Sequence, residues 1–222
     1  MKIIGHRGAA GLALENSRSS FLAAIKQGVD MIEFDVRLTA DDHLVVIHDK
    51  GTGRVSEDKR TVREQTLAEL RHVSLSNGEE VLTLDEALDL IGNTPVIIEV
   101  KDKQSVDELL LVLERHPKAV PSVASFQHEE LRQIHRVLPD VPTYVLEHYA
   151  PVDIVRTAHA IHATGIGLNK WLMNPLTYLL ARHYNLDVYL YTVNGPRLGR
   201  LLHVLYPTVN LCTNQPERFV KH

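Results

Sequence analysis

Apolar, β-like runs alternate with helical patterns along the whole chain. Short runs rich in Val, Ile, Leu and Tyr predict strands near residues 3–5, 31–36, 96–100, 122–125, 143–146, 165–168, 188–191 and 209–212. Between them, apolar positions recur at three- and four-residue spacing. This predicts helices over 17–27, 84–91, 106–115, 129–137, 152–164, 175–184 and 196–205, the first with Phe21, Ala24 and Ile25 on one face. Thr83, three residues ahead of Glu86, has the form of a capping box. Repeated strand–helix units of this kind predict an α/β fold, a (β/α)8 TIM barrel, whose reactive groups gather at the C-terminal strand ends. The rival is an open doubly wound sheet. Its G-x-G-x-x-G fingerprint does not fit, because Gly5, Gly8 and Gly11 are spaced differently and His6 and Arg7 occupy the turn.

The rhythm breaks over 48–81, which is glycine-bearing, then charged, then briefly helical. It reads as a small insertion after strand two, at approximately 49–81, lying over the barrel mouth. With no internal repeat or low-complexity tract, one domain spanning 1–222 is expected.

Composition narrows the function classes. The net charge of −4 over 222 residues argues against a broad nucleic-acid-binding surface, though a local positive pocket remains compatible with it. The single cysteine, Cys212, excludes an intrachain disulfide and reads as a small core residue. The N-terminal apolar run is short for a signal peptide, and no run approaches a transmembrane length. A cytoplasmic protein with no integral membrane association is expected.

The chemistry sits at strand ends. His6 and Arg7 follow the first apolar run, and His48 and Asp49 close a run over 44–47. Glu33 and Asp35 are two apart on a predicted strand, so they share a face, as do Glu99 and Lys101. Any one of these carboxylates alone reads best as a salt-bridged structural residue. All three at neighbouring strand ends favour a hard-oxygen site for one divalent cation, Mg²⁺ or Ca²⁺. His6 and His48 are candidate proton donor and acceptor. Arg7 and Lys101 are candidate phosphate contacts, with Glu15 or Glu33 as an ion-pair partner for Arg7. Such a parts list fits metal-assisted attack on a phosphate ester. The chain has 13 histidines, so histidine alone is weak evidence. His43, His72, His116 and His183 read as surface residues, and the spacing of His128 and His135 is not that of a zinc helix. Phe126, Trp171 and Tyr191 are candidates for a pocket wall, with packing alone as their plainer reading. Asn194 reads as a cap for the helix that follows.

Taken together these blocks resemble the glycerophosphodiester phosphodiesterase family. HRGAAGLALENS is similar to the family's HRG-x-x-x-x-x-PENT segment at His6, Arg7, Glu15 and Asn16. IEFDVRLTADDHLVVIHD is similar to its E-x-D-V block at Glu33, Asp35, Val36, Thr39, Asp41, Val45, His48 and Asp49, and IIEVK to its E-x-K element. LTLDEALDL, Ser125–Phe126 and the YTVN ending at Asn194 match further landmarks. The resemblance implies a TIM-barrel hydrolase that cuts glycerophosphodiesters to sn-glycerol 3-phosphate and an alcohol. It implies one divalent cation on Glu33, Asp35 and Glu99, with Mn²⁺ a third choice of ion, and His6 and His48 as the acid–base pair. Arg7 and Lys101 would hold the phosphate. Leu14 and Ser17 depart from the proline and threonine of PENT, and Asn214 from the aspartate of T-D-x-P, which removes an ionic tie at the eighth strand. The insertion is also short. The alternatives are a lysophospholipase-D-like hydrolase, if the aromatic wall is real, and a non-catalytic glycerophosphate-binding barrel, which the filled core positions disfavour.

Overall fold

Strand alternation and a closed sheet together decide where every side chain goes. The computed structural model describes residues 1–220. Its strands are β1 (Ile3–His6), β2 (Met31–Leu38), β3 (Leu44–Val46), β4 (Val96–Val100), β5 (Pro121–Ser125), β6 (Thr143–Glu147), β7 (Gly165–Asn169), β8 (Asp187–Tyr191) and β9 (Asn210–Thr213). All but β3 are parallel neighbours in the order β1-β9-β8-β7-β6-β5-β4-β2. The pairing of β1 with β2, Ile4 opposite Met31 and His6 opposite Glu33, closes the ring. β3 lies outside it, antiparallel to the end of β2. The result is a (β/α)8 barrel.

The helices are α1 (Arg18–Gln27), α2 (Leu67–Leu70), α3 (Leu84–Ile91), α4 (Val106–Arg115), α5 (His128–Val137), α6 (Asp153–Ala160), α7 (Pro175–His183) and α8 (Pro196–Leu205). Thr83 caps α3 in a reciprocal box with Glu86, as the sequence predicts. Ser17 does the same for α1 with Ser20, and Gly28 ends that helix at φ 72. α6 is shorter than the expected 152–164. Ile161 caps it, His162 turns to φ 57, and the Thr164 N–H is already donated to Thr143 O of β6.

On β2, Ile32, Phe34 and Val36 point outward and are fully buried against the helices. Phe34 meets Phe21 of α1 with ring centroids 5.4 Å apart. Met31, Glu33 and Asp35 point inward. The inner layer is Ile4, Met31, Ile97, Ala124, Tyr144, Leu146, Tyr189 and Cys212, with Phe126 and Tyr191 packed on it. Gly165 and Gly167 leave room for it. A Cβ at Gly165 would lie 2.8 Å from the Tyr144 ring, and one at Gly167 would lie 2.5 Å from both Leu146 and Tyr189. This filled floor leaves the upper strand ends for chemistry.

The 49–81 segment packs a small core of its own, in which Val55, Val62, Leu70, Val73 and Leu75 meet Val45 and Ile47. Leu14 packs against the same cluster. Arg54 pairs with both Asp49 and Glu15, tying this segment to the loop after β1. No helix among the described residues is long and apolar enough to cross a membrane.

Candidate active site

The turn after β1 builds the first wall. Arg7 (φ 50) and Gly8 (φ 80) are both left-handed, which reverses the chain within two residues. Ser20 of α1 fixes the turn by donating its hydroxyl to Arg7 O at 3.0 Å. The Arg7 N–H then donates to Glu33 Oε2 at 3.0 Å, and the Gly8 N–H to Glu33 O at 3.2 Å. Asn16, also left-handed at φ 53, donates Nδ2–H to Asp35 Oδ2 at 2.9 Å. Both carboxylates of β2 are therefore oriented by the loop beside them.

Glu33, Asp35 and Glu99 converge, each offering an oxygen within 4.8 Å of the others. Glu33 and Asp35 are almost fully buried. Such charges are costly without partners. Arg7 Nη1 reaches Glu15 Oε1 at 2.7 Å and its Nε lies 3.3 Å from Asp35 Oδ2. Lys101 Nζ lies 2.8 Å from Asp35 Oδ1 and also pairs with Glu99. Three acids thus face two cations. Burial raises the carboxyl of Glu33 well above its ordinary range, and the charges of Asp35 and Glu99 add to this. Burial also raises Glu99, with Asp35 reinforcing and Lys101 opposing, to about 7. For Asp35 burial acts in the same upward sense, but Lys101 and Arg7 outweigh it and hold this carboxyl low. The donor set is all hard oxygen, three carboxylates from neighbouring strands. These residues fit a hard divalent cation such as Mg²⁺ or Ca²⁺.

His6 and His48 stand at the rim of the same cluster. His6 Nε2 is 3.9 Å from Glu33 Oε2, and its Nδ1 is 2.6 Å from Asn214 Oδ1. Burial, then the Arg7 charge, pushes His6 down to about 4. His48 Nδ1 is 2.6 Å from Asp49 Oδ1, and Arg37 Nε donates to His48 O at 2.8 Å. Burial lowers His48 as well. The Arg54 contact holds Asp49 down at about 2.

Both imidazoles, both cations and two of the three acids open on one cavity of about 400 Å³ at the C-terminal strand ends. Arg7, Lys101, Phe126 and Tyr191 line it beside His6, Glu33, Glu99 and His48. Asp35 does not line it, but its Oδ1 lies 2.8 Å from Lys101 Nζ, which does. Trp171 is placed elsewhere: it is 75% exposed on the turn after β7, outside the cavity lining, with Lys170 Nζ 5.4 Å from its ring centroid. The lining includes residues the sequence reading passed over. His148 stacks on Phe126 with centroids 4.0 Å apart, and Gln127, Arg37 and Thr192 complete the wall. Inward parity after β6 was the available signal for His148. Asn194 does not cap α8, because Gly195 holds that position. Its Oδ1 instead accepts the Asn214 N–H at 3.0 Å. His116, expected on the surface, is half-buried between Asp85 (2.9 Å) and Asp89 (3.4 Å).

Comparison with known proteins identifies the family. The model of the glycerophosphoryl diester phosphodiesterase family matches residues 6–217. A glycerophosphodiester phosphodiesterase of Bacillus subtilis (strain 168) is 27% identical over 98% of this chain and 85% of its own length. Among solved structures, an Oleispira antarctica phosphodiesterase in complex with the product sn-glycerol-3-phosphate shares the fold at a TM-score of 0.92, with 20% identity, 98% of this chain covered and 94% of that one. A Thermotoga maritima glycerophosphodiester phosphodiesterase aligns at 0.86, with 22% identity and coverage of 99% and 97%. The chain is a phosphodiester hydrolase and belongs to the glycerophosphoryl diester phosphodiesterase family.

Proposed function

We propose that the cavity hydrolyses glycerophosphodiesters to sn-glycerol 3-phosphate and an alcohol, with one divalent cation held by Glu33, Asp35 and Glu99. The convergence of three carboxylates, two of them buried, with two cations and two imidazoles beside one cavity carries this reading. Bound there, the ion supplies Lewis-acid charge to the phosphate oxygens. Arg7 and Lys101 place positive charge against the same group, where the non-bridging oxygens gain charge in the transition state. One of His6 and His48 takes the proton of the attacking hydroxyl as its oxygen bonds to phosphorus. The bond from phosphorus to the leaving alkoxide breaks, and the other imidazole, protonated, returns a proton to it. Burial holds His6 at about 4, so that imidazole is neutral near pH 7 and one base is ready before substrate arrives. The attacking hydroxyl is water, or the substrate's own 2-hydroxyl, which gives a cyclic phosphate that water then opens to sn-glycerol 3-phosphate. Incorporation of ¹⁸O from labelled water, with trapping of the cyclic product, separates the two routes.

The test is release of sn-glycerol 3-phosphate from glycerophosphocholine by EDTA-stripped protein with Mg²⁺, Ca²⁺ or Mn²⁺ added back. Ion-dependent release, lost in His6→Ala and in His48→Ala, is the expected result. Folded protein that releases nothing with any ion refutes it. The wall of Phe126, His148 and Tyr191 favours one rival, a lysophospholipid substrate. Turnover of lysophosphatidylcholine well above that of glycerophosphocholine would establish it, and saturable binding without turnover would leave a glycerophosphate-binding barrel.

A further inference from the structure

Among the described residues Asn214 makes no hydrogen bond to the carboxylate cluster, yet the fold fixes it from three strand ends. It follows β9, and its Oδ1 lies 2.6 Å from Nδ1 of His6, the last residue of β1. Its N–H donates to Oδ1 of Asn194, just past β8, at 3.0 Å. The Thr213 hydroxyl donates to that same Asn194 oxygen at 3.3 Å. On the other side, Asn214 O accepts the Gly11 N–H at 2.8 Å, and a Cβ at Gly11 would lie 2.7 Å from that oxygen. Main-chain bonds on both flanks leave the amide little freedom to leave the imidazole.

We propose that Asn214 is a positioning residue that sets the tautomer of His6, with Asn194 acting through it. This rests on His6 serving the hydrolysis described above. Oδ1 is an acceptor only, so a bond to it requires the ring proton on Nδ1. The lone pair then sits on Nε2, the nitrogen nearer the carboxylates, at 3.9 Å from Glu33 Oε2. The opposite amide orientation would donate Nδ2–H to Nδ1 and put the ring proton on Nε2, where it blocks proton uptake. An amide suits this place for a further reason. Three acids already face only Arg7 and Lys101, and a carboxylate at 214 would bring a fourth negative charge beside them. The amide offers the same acceptor without the charge. Asn214, which removes the ionic tie expected of an aspartate, keeps a neutral one.

The experiment joins a tautomer readout to kinetics. Protein labelled with ¹⁵N-histidine gives two-bond ring correlations for each imidazole, and those absent in His6→Gln belong to His6. At neutral pH the wild type and Asn214→Asp are expected to carry the proton on Nδ1. Asn214→Leu is expected to lose that preference, with kcat for glycerophosphocholine falling about 10- to 100-fold and KM nearly constant. Asn214→Asp is expected to recover most of the loss. Asn194→Ala is expected to cost less, and to add nothing in the Asn214→Leu background. A proton on Nε2 in the wild type overturns the proposal. So does Asn214→Leu with tautomer and kcat unchanged, or an equal loss of kcat in the Leu and Asp variants. Should Asn214→Leu fail to fold, Asn214→Ala takes its place. The tautomer is read without substrate, so wild-type protein that hydrolyses nothing refutes the proposed function and leaves the hydrogen bond to stand or fall on the spectrum.

Discussion

Glu99→Gln is expected to stabilise the metal-free protein while removing its response to metal. The magnitude follows from the crowding of the acids. Two carboxylates with oxygens within 4.8 Å of each other repel by about 3 kcal/mol or more at an effective dielectric near 20. The same size follows from protonation: a carboxyl titrating at about 7 instead of its ordinary 4.5 corresponds to about 3 kcal/mol. Against this, Lys101 loses one charged hydrogen-bond partner, worth roughly 1.5 kcal/mol or more, and keeps Asp35 at 2.8 Å. The net gain expected in EDTA is about 1–2 kcal/mol, or roughly 2–8 °C in Tm for a domain of this size. Its pH dependence is fixed in sign. The folded chain holds the Glu99 proton longer than the unfolded chain does, so the wild type loses stability as pH rises from 4.5 to about 7. The advantage of the glutamine is therefore full above about 7 and absent below 4.5. Urea unfolding followed by far-UV circular dichroism measures it, since Trp171 is 75% exposed and a poor fluorescence reporter. With an ion at a hundred times its Kd, the wild type gains about 2.7 kcal/mol and the variant little. A variant less stable than wild type in EDTA at alkaline pH would refute the reasoning, as would an equal response of both proteins to metal.

Other substitutions probe separate parts of the argument. Lys101→Met strips the counter-charge from Asp35 and Glu99 and is expected to cost about 3–5 kcal/mol in EDTA at alkaline pH. Part of that returns in acid, where Glu99 takes a proton; a loss independent of pH contradicts the ion-pair account. Gly8→Ala places a Cβ at φ 80 and 2.5 Å from Ser20 Oγ, so a loss of roughly 2–3 kcal/mol is expected by urea unfolding. A neutral result would mean the turn adopts another conformation. Phe126→Ala is expected to raise KM for glycerophosphocholine several-fold, while Trp171→Ala leaves it unchanged, because Phe126 lines the cavity and Trp171 does not. The reverse ranking would move the substrate to the outer rim.

Much of this was legible because strands impose a period of two. Glu33, Asp35 and Glu99 are inward on their strands, and Lys101 one residue past β4 keeps that side, by the same parity that buries Ile32, Phe34 and Ile98 outward. The carboxylate cluster is therefore written in the local pattern. Trp171 shows the limit of that rule: it lies past β7 on a turn, where parity no longer fixes direction. Asn194 and Asn214 show another. Their partners lie on β9 and β1, and one of those bonds joins residues 208 apart in the chain, so ring closure alone creates it. His116 shows a third, since Asp85 and Asp89 reach it from a different helix.

Charge balance in the cavity also orders the binding events. With its three carboxylates ionised against Arg7 and Lys101, the site carries one surplus negative charge and opposes an anionic phosphodiester. A divalent cation reverses that surplus to one positive charge, and the same two cations, released from full compensation of the acids, then face the phosphate. Binding of sn-glycerol 3-phosphate, measured by calorimetry, is therefore expected to be at least about tenfold tighter with ion than in EDTA, a difference of about 1.4 kcal/mol or more. By reciprocity the product should tighten ion binding by the same factor. In Lys101→Met the product should bind more weakly even with ion present, because half of the fixed positive charge is gone. Equal affinity with and without ion would mean that protonated acids, not the cation, neutralise the cavity. The dependence would then appear on pH instead, with product binding lost as pH rises through about 7, where Glu99 ionises.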